Sequence, residues 1–199
     1  MIVVDTETTG LDLIKDHILS IGAVDFSNPQ RTYYNECRLP RGIRLSSSAS
    51  RVTGFTLLTV RDHRKPSISK ILIEFMKWAS RCSERTLAGE NPWFDIIFLR
   101  RAFEQHELEW PFGHRYVDLH SLVYAEMLHN RKRRVAKSEI SGQGLDKTLD
   151  YVGLASRNGF HNALNDAKLE AEAFSRLIYG KGLFREYSVY AIPSHLKHF

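Results

Sequence analysis

The sequence predicts an α/β protein in which helices cover a β-sheet on both faces. Three apolar strand-like segments come early in the chain, and short strands then alternate with helices, which is the order typical of this class. The chain has 199 residues, of which 43% are hydrophobic and 26% charged, as expected for one domain with a buried core. We predict a domain over residues 1–180 and a tail over 181–199 that forms no separate domain.

Five strands are predicted from short runs rich in β-branched and other apolar residues. The first is a β-branched run and the second a longer apolar segment, whereas the third is weaker and the last two are very short. The predicted strands are residues 2–4, 18–24, 32–39, 86–88 and 116–117. A loop containing three consecutive serines is predicted over residues 40–50.

Helices are predicted where apolar residues recur at intervals of three and four. In residues 68–79 this spacing gives one apolar face. Asn91 and Pro92 are suited to cap and begin the next helix. In the last long helix an apolar stripe runs from Leu164 to Ile178, and Gly180 ends it. Together with residues 68–79, the predicted helices are residues 91–107, 119–128, 145–152 and 162–179.

Composition excludes several classes of protein. The net charge is +5, and a modest basic excess is compatible with a phosphate-bearing partner. No apolar run approaches the roughly 18 residues that a membrane span needs, and Asp5 interrupts the first apolar run, which argues against a signal peptide. Cys37 and Cys82 are too few for a disulfide framework. We therefore expect a cytoplasmic protein with two reduced thiols.

The first candidate functional segment is Asp5-Thr6-Glu7-Thr8-Thr9-Gly10. Two carboxylates at positions i and i+2 of a strand lie on the same face, and they repel each other unless a positive charge lies between them. A divalent cation meets this need, and hard oxygen ligands suit Mg²⁺ or Mn²⁺. The alternative is an acidic turn capped by threonines.

Two further segments carry acids near helix starts. Asp95 falls in the first turn of its helix, where the helix dipole favours an anion with or without a function. His161 is expected just before the last long helix and Asp166 about one turn inside it, so that their side chains flank one point. Since the pKa of His is near neutrality, His161 beside metal-bound carboxylates is a candidate general base.

Together these motifs resemble those of the DEDDh 3′–5′ exonucleases, also called DnaQ-like, of the ribonuclease H-like superfamily. The resemblance covers residues 1–179 and extends to the connecting segments 18–24, 51–56 and 117–119. It implies a mixed five-stranded sheet flanked by helices, with the second strand antiparallel to the others. Glu90 departs from the family pattern, in which many members have His at that position.

Carried over residue by residue, the resemblance implies that Asp5, Glu7, Asp95 and Asp166 hold two Mg²⁺ or Mn²⁺ ions per active site. His161 would be the general base. Thr8 and Gly10 would contact the terminal nucleotide, and Leu11 would be an apolar wedge against its base. Asn91 belongs to the same predicted substrate-binding set.

Residues outside these motifs are interpreted with an alternative for each. The predicted loop over 130–144 carries Arg131, Arg133 and Arg134, which either clamp substrate phosphates or form a solvated surface. Trp93 either stacks on a base or packs in the core. Asp118 is expected to cap backbone N–H groups and to lie outside the ligand set.

The function implied is metal-dependent exonuclease action on the 3′ ends of single-stranded DNA or RNA, releasing nucleoside 5′-monophosphates by a two-metal mechanism. Alternatives within the family are a short-oligonucleotide or RNA-trimming exoribonuclease and a polymerase proofreading subunit. A catalytically silent nucleic-acid-binding module is a further alternative. The expected partner is single-stranded nucleic acid and not a membrane, and a polymerase partner or a homodimer is left open.

Overall fold

A five-stranded sheet forms the centre of the computed structural model, which describes residues 1–129 and 144–197. Its strands are β1 (Ile2–Thr8), β2 (Ile18–Asp25), β3 (Thr32–Glu36), β4 (Leu87–Gly89) and β5 (Tyr116–Asp118). Their order across the sheet is β3-β2-β1-β4-β5. Because β2 is antiparallel to β1 and β3, while β4 is parallel to β1 and β5, the predicted mixed sheet with a reversed second strand is confirmed.

Seven α-helices are described. They are α1 (Ser47–Thr53), α2 (Leu57–Val60), α3 (Ile68–Ala79), α4 (Trp93–Gln105), α5 (Leu119–His129), α6 (Leu145–Tyr151) and α7 (Ala163–Tyr179). The prediction of a loop over 40–50 is wrong in its last part, because Ser46 accepts a hydrogen bond from the Ala49 N–H and thereby caps α1. Residues 130–143 lie outside the described residues, so most of the predicted basic loop does as well.

The two faces of β1 point into two different apolar layers. Ile2 and Val4 pack with α3 and α4, whereas Val3 packs with α5, α6 and α7. This alternation follows from the two-residue period of a strand. It also means that Asp5 and Glu7, which continue the series of Val3, face the layer that contains α7.

The start of α7 lies directly against the sheet. Gly22 is paired with Asp5 across β1 and β2, and a Cβ atom at Gly22 would lie only 2.1 Å from the carbonyl carbon of Ala163. Only glycine therefore permits this approach. The contact sets the depth at which the first turn of α7 meets the end of β1.

Both ends of α7 are capped, and the second end lies at Gly180 as predicted. The Asn162 side chain accepts hydrogen bonds from the N–H groups of Leu164 and Asn165, and Gly180 closes the helix with a positive φ of 61°. The predicted apolar stripe is wrong at Ile178, which is exposed. In this last turn it is Leu177, and not Ile178, that enters the apolar layer.

The segment after α7 is bound to the domain by a buried ion pair. Arg176 is 1% exposed and donates to the carboxylate of Glu172 at 2.8 Å. The same guanidinium donates to the carbonyls of Tyr187 and Tyr190, and the second Glu172 oxygen accepts from the Leu183 N–H. Residues 183–190 are thereby attached to the helix that carries Asp166.

Across residues 1–129 and 144–197, none of the helices combines the length and the apolar character needed to cross a membrane.

Candidate active site

Strand β1 brings two carboxylates to the carboxyl end of the sheet. Asp5 and Glu7 point to the same side, opposite Gly22 and Ser20 of β2. The ladder is irregular between Glu7 and Thr8, the last residue of the strand. Among the described residues none donates a hydrogen bond to the carboxylate of Asp5, and the Oε1 atom of Glu7 is buried without a hydrogen-bond partner.

The third carboxylate, Asp95, comes from the first turn of α4 and is fixed by β1. Its Oδ1 atom accepts from the Thr6 N–H at 2.9 Å and from the Thr6 hydroxyl at 2.6 Å. Thr6 lies between Asp5 and Glu7 and points to the other face of the strand, so that its two donors hold α4 against the acid motif.

The predicted N-cap role of Asn91 is wrong. Its backbone has a positive φ of 56°, whereas an N-cap residue is normally extended. Pro92 occupies the N-cap position without a side-chain cap. The Asn91 N–H donates instead to Asp118 at 3.1 Å, and Asp118 also accepts from the N–H groups of His120 and Ser121. The predicted backbone-capping role of Asp118 is thus confirmed.

The fourth carboxylate and the histidine come from the start of α7, as predicted. The Nδ1 atom of His161 lies 3.7 Å from Oδ2 of Asp166. The His161 N–H donates to the Val52 carbonyl at 2.9 Å, which ties the segment before α7 to α1. This backbone contact holds the imidazole at the mouth of the acidic cluster.

The side chains of the four carboxylates and of His161 line one cavity of about 410 Å³. The substrate-binding residues predicted within the described part of the chain line it too, and Leu11 is 80% exposed at its rim. The predicted residues found together here are Asp5, Glu7, Thr8, Gly10, Leu11, Asn91, Asp95, His161 and Asp166. Arg131, Arg133 and Arg134 lie outside the described residues.

Burial and mutual repulsion disfavour ionisation of the carboxylates. Burial raises the pKa of Asp5 well above its ordinary value, and the charges of Asp95 and Glu170 raise it further. Burial also raises the pKa of Glu7 and that of Asp95 to about 7. The pKa of His161 is lowered, first by burial and then by the charge of Arg157. These carboxylates therefore lie in an environment that favours a bound cation.

The donor atoms fit a divalent metal ion. Ligand atoms of Glu7, His161 and Asp166 all lie within 4.8 Å of one another, and the buried Oε1 atom of Glu7 has no other partner. Carboxylate oxygens are the donors that Mg²⁺ and Mn²⁺ prefer. His161 is close enough to share such an ion, whereas the sequence placed it outside the ligand set.

Sequence reasoning missed Arg157, which brings a positive charge into the cavity. Its guanidinium donates to Asp166 Oδ2 at 3.0 Å and lies 3.3 Å from Nδ1 of His161. Asp146 of α6 accepts from its Nε at 2.9 Å. Arg157 belongs to an irregular segment, where no periodicity points to a buried side, and no sequence signal identifies it.

Sequence reasoning also missed Glu170, which lies one turn after Asp166 on the same face of α7. It is 2% exposed, and its Oε2 atom is buried without a hydrogen-bond partner. The spacing of i and i+4 from Asp166 could have identified it. Glu90, which departs from the family pattern, has a largely buried side chain that lines the cavity, and burial raises its pKa to about 7.

Trp93 is not among the residues that line the cavity. It is 41% exposed, and its ring packs edge-on against Phe94 with centroids 6.1 Å apart. Neither base stacking in the cavity nor full burial in the core describes its position.

Comparison with known proteins agrees with this geometry. The family model of the RNase_T exonucleases matches residues 2–174. The chain is 29% identical over 178 residues to a PolC-type DNA polymerase III of Thermotoga maritima and 25% identical over 191 residues to that of Listeria monocytogenes. These alignments cover 89% and 87% of this chain but only 12% and 13% of the polymerases.

Solved exonucleases share the fold. The nuclease domain of 3′hExo, a DEDDh family member bound to rAMP, superposes with a TM-score of 0.68 at 17% identity, covering 92% of this chain and 94% of that one. Escherichia coli exonuclease I in complex with a dT13 oligonucleotide gives 0.69 at 16% identity, with 88% and 40% covered. The cell-death related nuclease CRN-4 gives 0.72 at 15% identity, with 91% and 64% covered.

The chain therefore belongs to the RNase_T family of exonucleases, as a DEDDh-type member with the ribonuclease H-like fold. The fold and the family predicted from the motifs are confirmed. Members of this family are hydrolytic nucleases that use divalent metal ions.

The raised carboxyl pKa values predict how the metal-free protein responds to pH. The folded state retains protons on Glu7 and Asp95 up to about pH 7, whereas the unfolded chain loses them near pH 4. The stability that these groups contribute is therefore full below about pH 4 and is lost as the pH rises to 7.

Melting temperatures measured in EDTA between pH 5 and pH 8 test this expectation. The Asp5→Asn/Glu7→Gln variant should gain stability over the wild type as the pH rises. One pKa unit corresponds to about 1.4 kcal/mol, so this gain should exceed about 3 °C in a chain of this size. A constant difference between the two proteins across this range would contradict the raised pKa values.

Proposed function

We propose that this chain is a metal-dependent 3′–5′ exonuclease that releases nucleoside 5′-monophosphates from the 3′ ends of single-stranded DNA or RNA. The observation that carries the proposal is the meeting of Asp5, Glu7, Asp95, Asp166 and His161 in one cavity. Membership of the exonuclease family supports it. The cavity also has a size typical of small-ligand sites, which span about 300–1,000 Å³.

The four carboxylates would hold two Mg²⁺ or Mn²⁺ ions. Two ions in such a site stabilise the attacking and leaving oxygens of an in-line displacement. Asp5 and Glu7 are best suited to be ligands, because the first accepts no hydrogen bond from the described residues and the second has a buried free oxygen. Asp95 is oriented by Thr6 and Asp166 by Arg157.

His161 would accept the proton of the attacking water. The lowered pKa keeps its imidazole neutral near pH 7, which is the form that a general base requires. Leu11, at the exposed rim, would pack against the terminal base, while Thr8, Gly10 and Asn91 would contact the terminal nucleotide. The phosphate clamp predicted at Arg131, Arg133 and Arg134 remains part of the proposal.

A proofreading role beside a polymerase is a second candidate. The observation that favours it is the match of nearly the whole chain to a segment of PolC-type DNA polymerase III. The chain spans about an eighth of those proteins, so the polymerase activity itself is not carried over. A polymerase would then be the partner that presents the 3′ end.

The proposal predicts products that shorten by one nucleotide at a time. Single-stranded DNA and RNA of matched sequence, each labelled at the 5′ end, should give ladders that begin at full length when Mg²⁺ or Mn²⁺ is present. EDTA should abolish cleavage, because the carboxylates alone cannot stabilise the developing negative charge. Gel analysis of a time course measures both results.

The matched control for this assay is Asp5→Asn, which should be inactive and yet melt in EDTA at or above the wild-type temperature. Internal cuts would refute exonuclease action. Undiminished cleavage in EDTA would refute the requirement for metal.

Replacement of His161 by Ala should lower kcat by about 10²- to 10⁴-fold, the usual contribution of a general base. The metal concentration that gives half-maximal activity should remain close to that of the wild type. Initial rates across a range of Mg²⁺ concentrations measure both quantities. His114→Ala is the control, since His114 is exposed and outside the cavity.

A different outcome would reassign His161. If the required metal concentration rises steeply while kcat at saturating metal is retained, His161 is a ligand that shares an ion with Glu7 and Asp166. If kcat and the metal requirement both keep their wild-type values, His161 has no part in the reaction.

A further inference from the structure

One of the basic segments of this protein connects β3 to α3. Residues 38–65 contain seven Lys and Arg residues and one acidic residue, Asp62. The resulting charge of +6 exceeds the net charge of +5 of the whole chain. Three of these cations, Arg38, Arg41 and Arg61, line two neighbouring cavities, and such a group generates a local potential that attracts polyanions.

Two neighbouring cavities of about 300 and 640 Å³ are lined by cationic side chains and by no Asp or Glu. They share Arg38, Leu39 and Pro40 as a common wall. We call the surface formed by both cavities the cationic groove. Its cationic residues are Arg38, Arg41, Arg61 and Arg101, and His17, His63 and His106 also line it.

The acids near the cationic groove are already engaged elsewhere. Asp62 pairs with Arg64, and Glu36 pairs with Lys65. Within residues 1–129 and 144–197, neither Arg38, Arg41 nor Arg61 forms an ion pair with a carboxylate. Arg38 Nη1 lies instead 3.4 Å from Nδ1 of His63. The charges of the groove are thus left available to a ligand.

Arg101 shows the same lack of a carboxylate partner at greater depth. It donates to the main-chain carbonyls of Leu13 and Asp16, and its Nε atom is buried without a hydrogen-bond partner. The carbonyl groups orient the guanidinium, and the carboxylates of Asp16 and Asp12 interact with its charge without forming an ion pair with it.

The cationic groove adjoins the active-site cavity through the loop between β1 and β2. His17 exchanges hydrogen bonds with Thr9, whose carbonyl accepts from the Ser46 N–H at 2.9 Å. Ser46 caps α1, and Ala49 of α1 lines the active-site cavity. The loop over residues 10–16 therefore places Leu11 at the active site, and the residue that follows the loop, His17, lines the groove.

We propose that the cationic groove binds the phosphate backbone of the nucleic acid beyond the terminal nucleotides held in the active site. The proposal rests on the proposed exonuclease function, because that function defines the strand whose remainder the groove would hold. A row of side chains that pairs with phosphates and not with bases gives affinity without sequence preference.

The test compares Arg38→Ser/Arg41→Ser/Arg61→Ser with a control of equal charge loss, Arg85→Ser/Arg115→Ser/Arg185→Ser. The three control residues are exposed and lie outside both cavities. Affinity for a long single strand is measured in EDTA, where no cleavage occurs, at 50 and 200 mM salt. Melting temperatures verify folding, and Arg41→Ser/Arg61→Ser, in which both positions are exposed, replaces the triple variant if that variant unfolds.

Loss of three phosphate contacts should reduce the salt slope for a single strand by about 2. The ratio of the wild-type affinity to the affinity of the groove variant should then fall about 16-fold for the fourfold rise in salt. The control variant should keep the wild-type slope. Hydrolysis of a dinucleotide, which is too short to reach the groove, should be unchanged in both variants.

The outcomes separate this proposal from the exonuclease function. If the groove variant and the control show the same salt slope, the groove does not bind the strand, whatever the enzyme cleaves. If the wild type shows no cleavage, while the groove variant loses affinity for the strand and the control variant does not, the exonuclease function is refuted and the strand-binding role of the groove is retained. An equal loss of dinucleotide and long-strand hydrolysis in the groove variant would also overturn the proposal.

Discussion

Electrostatic repulsion among buried carboxylates at the end of β1 is the constraint on which the rest of this structure depends. Asp5, Glu7, Asp95 and Asp166 line one cavity, with Glu90 beside them and Glu170 behind. Such a cluster cannot be fully ionised at neutral pH without nearby positive charge, and the raised pKa values express that cost. The fold assembles the cluster in spite of this cost.

Contacts with neighbouring residues stabilise two of the four carboxylates. Two hydrogen bonds from Thr6 orient Asp95, and the guanidinium of Arg157 lies against Asp166. Among the described residues none donates a hydrogen bond to Asp5, and Glu7 Oε1 is buried without a partner. These two carboxylates therefore depend most on an added cation. The absence of a side chain at Gly22 lets α7 approach the sheet closely enough to bring Asp166 to the other acids.

The sequence predicted the sheet, the main helices and the meeting of the motif residues, because strand alternation and helix caps are local properties. It failed where distant segments decide the geometry. Asn91 looks like a helix cap, but the chain turns there through a left-handed conformation fixed by Asp118. Arg157 enters the cavity from an irregular segment, and the cationic groove combines residues from four separate parts of the chain. No pattern within one segment reveals such combinations.

Proton release on metal binding tests the central claim most directly. Calorimetric titration with Mg²⁺ at pH 6.5, in two buffers of different ionisation enthalpy, measures the number of protons displaced. Since a metal ion binds the ionised carboxylate, protons held by the carboxylates, Asp5 and Glu7 among them, should be released. The release should be smaller at pH 9 than at pH 6.5, and smaller in Asp5→Asn/Glu7→Gln than in the wild type. Mg²⁺ binding without proton release at pH 6.5, or release that is undiminished in the double variant, would contradict the account.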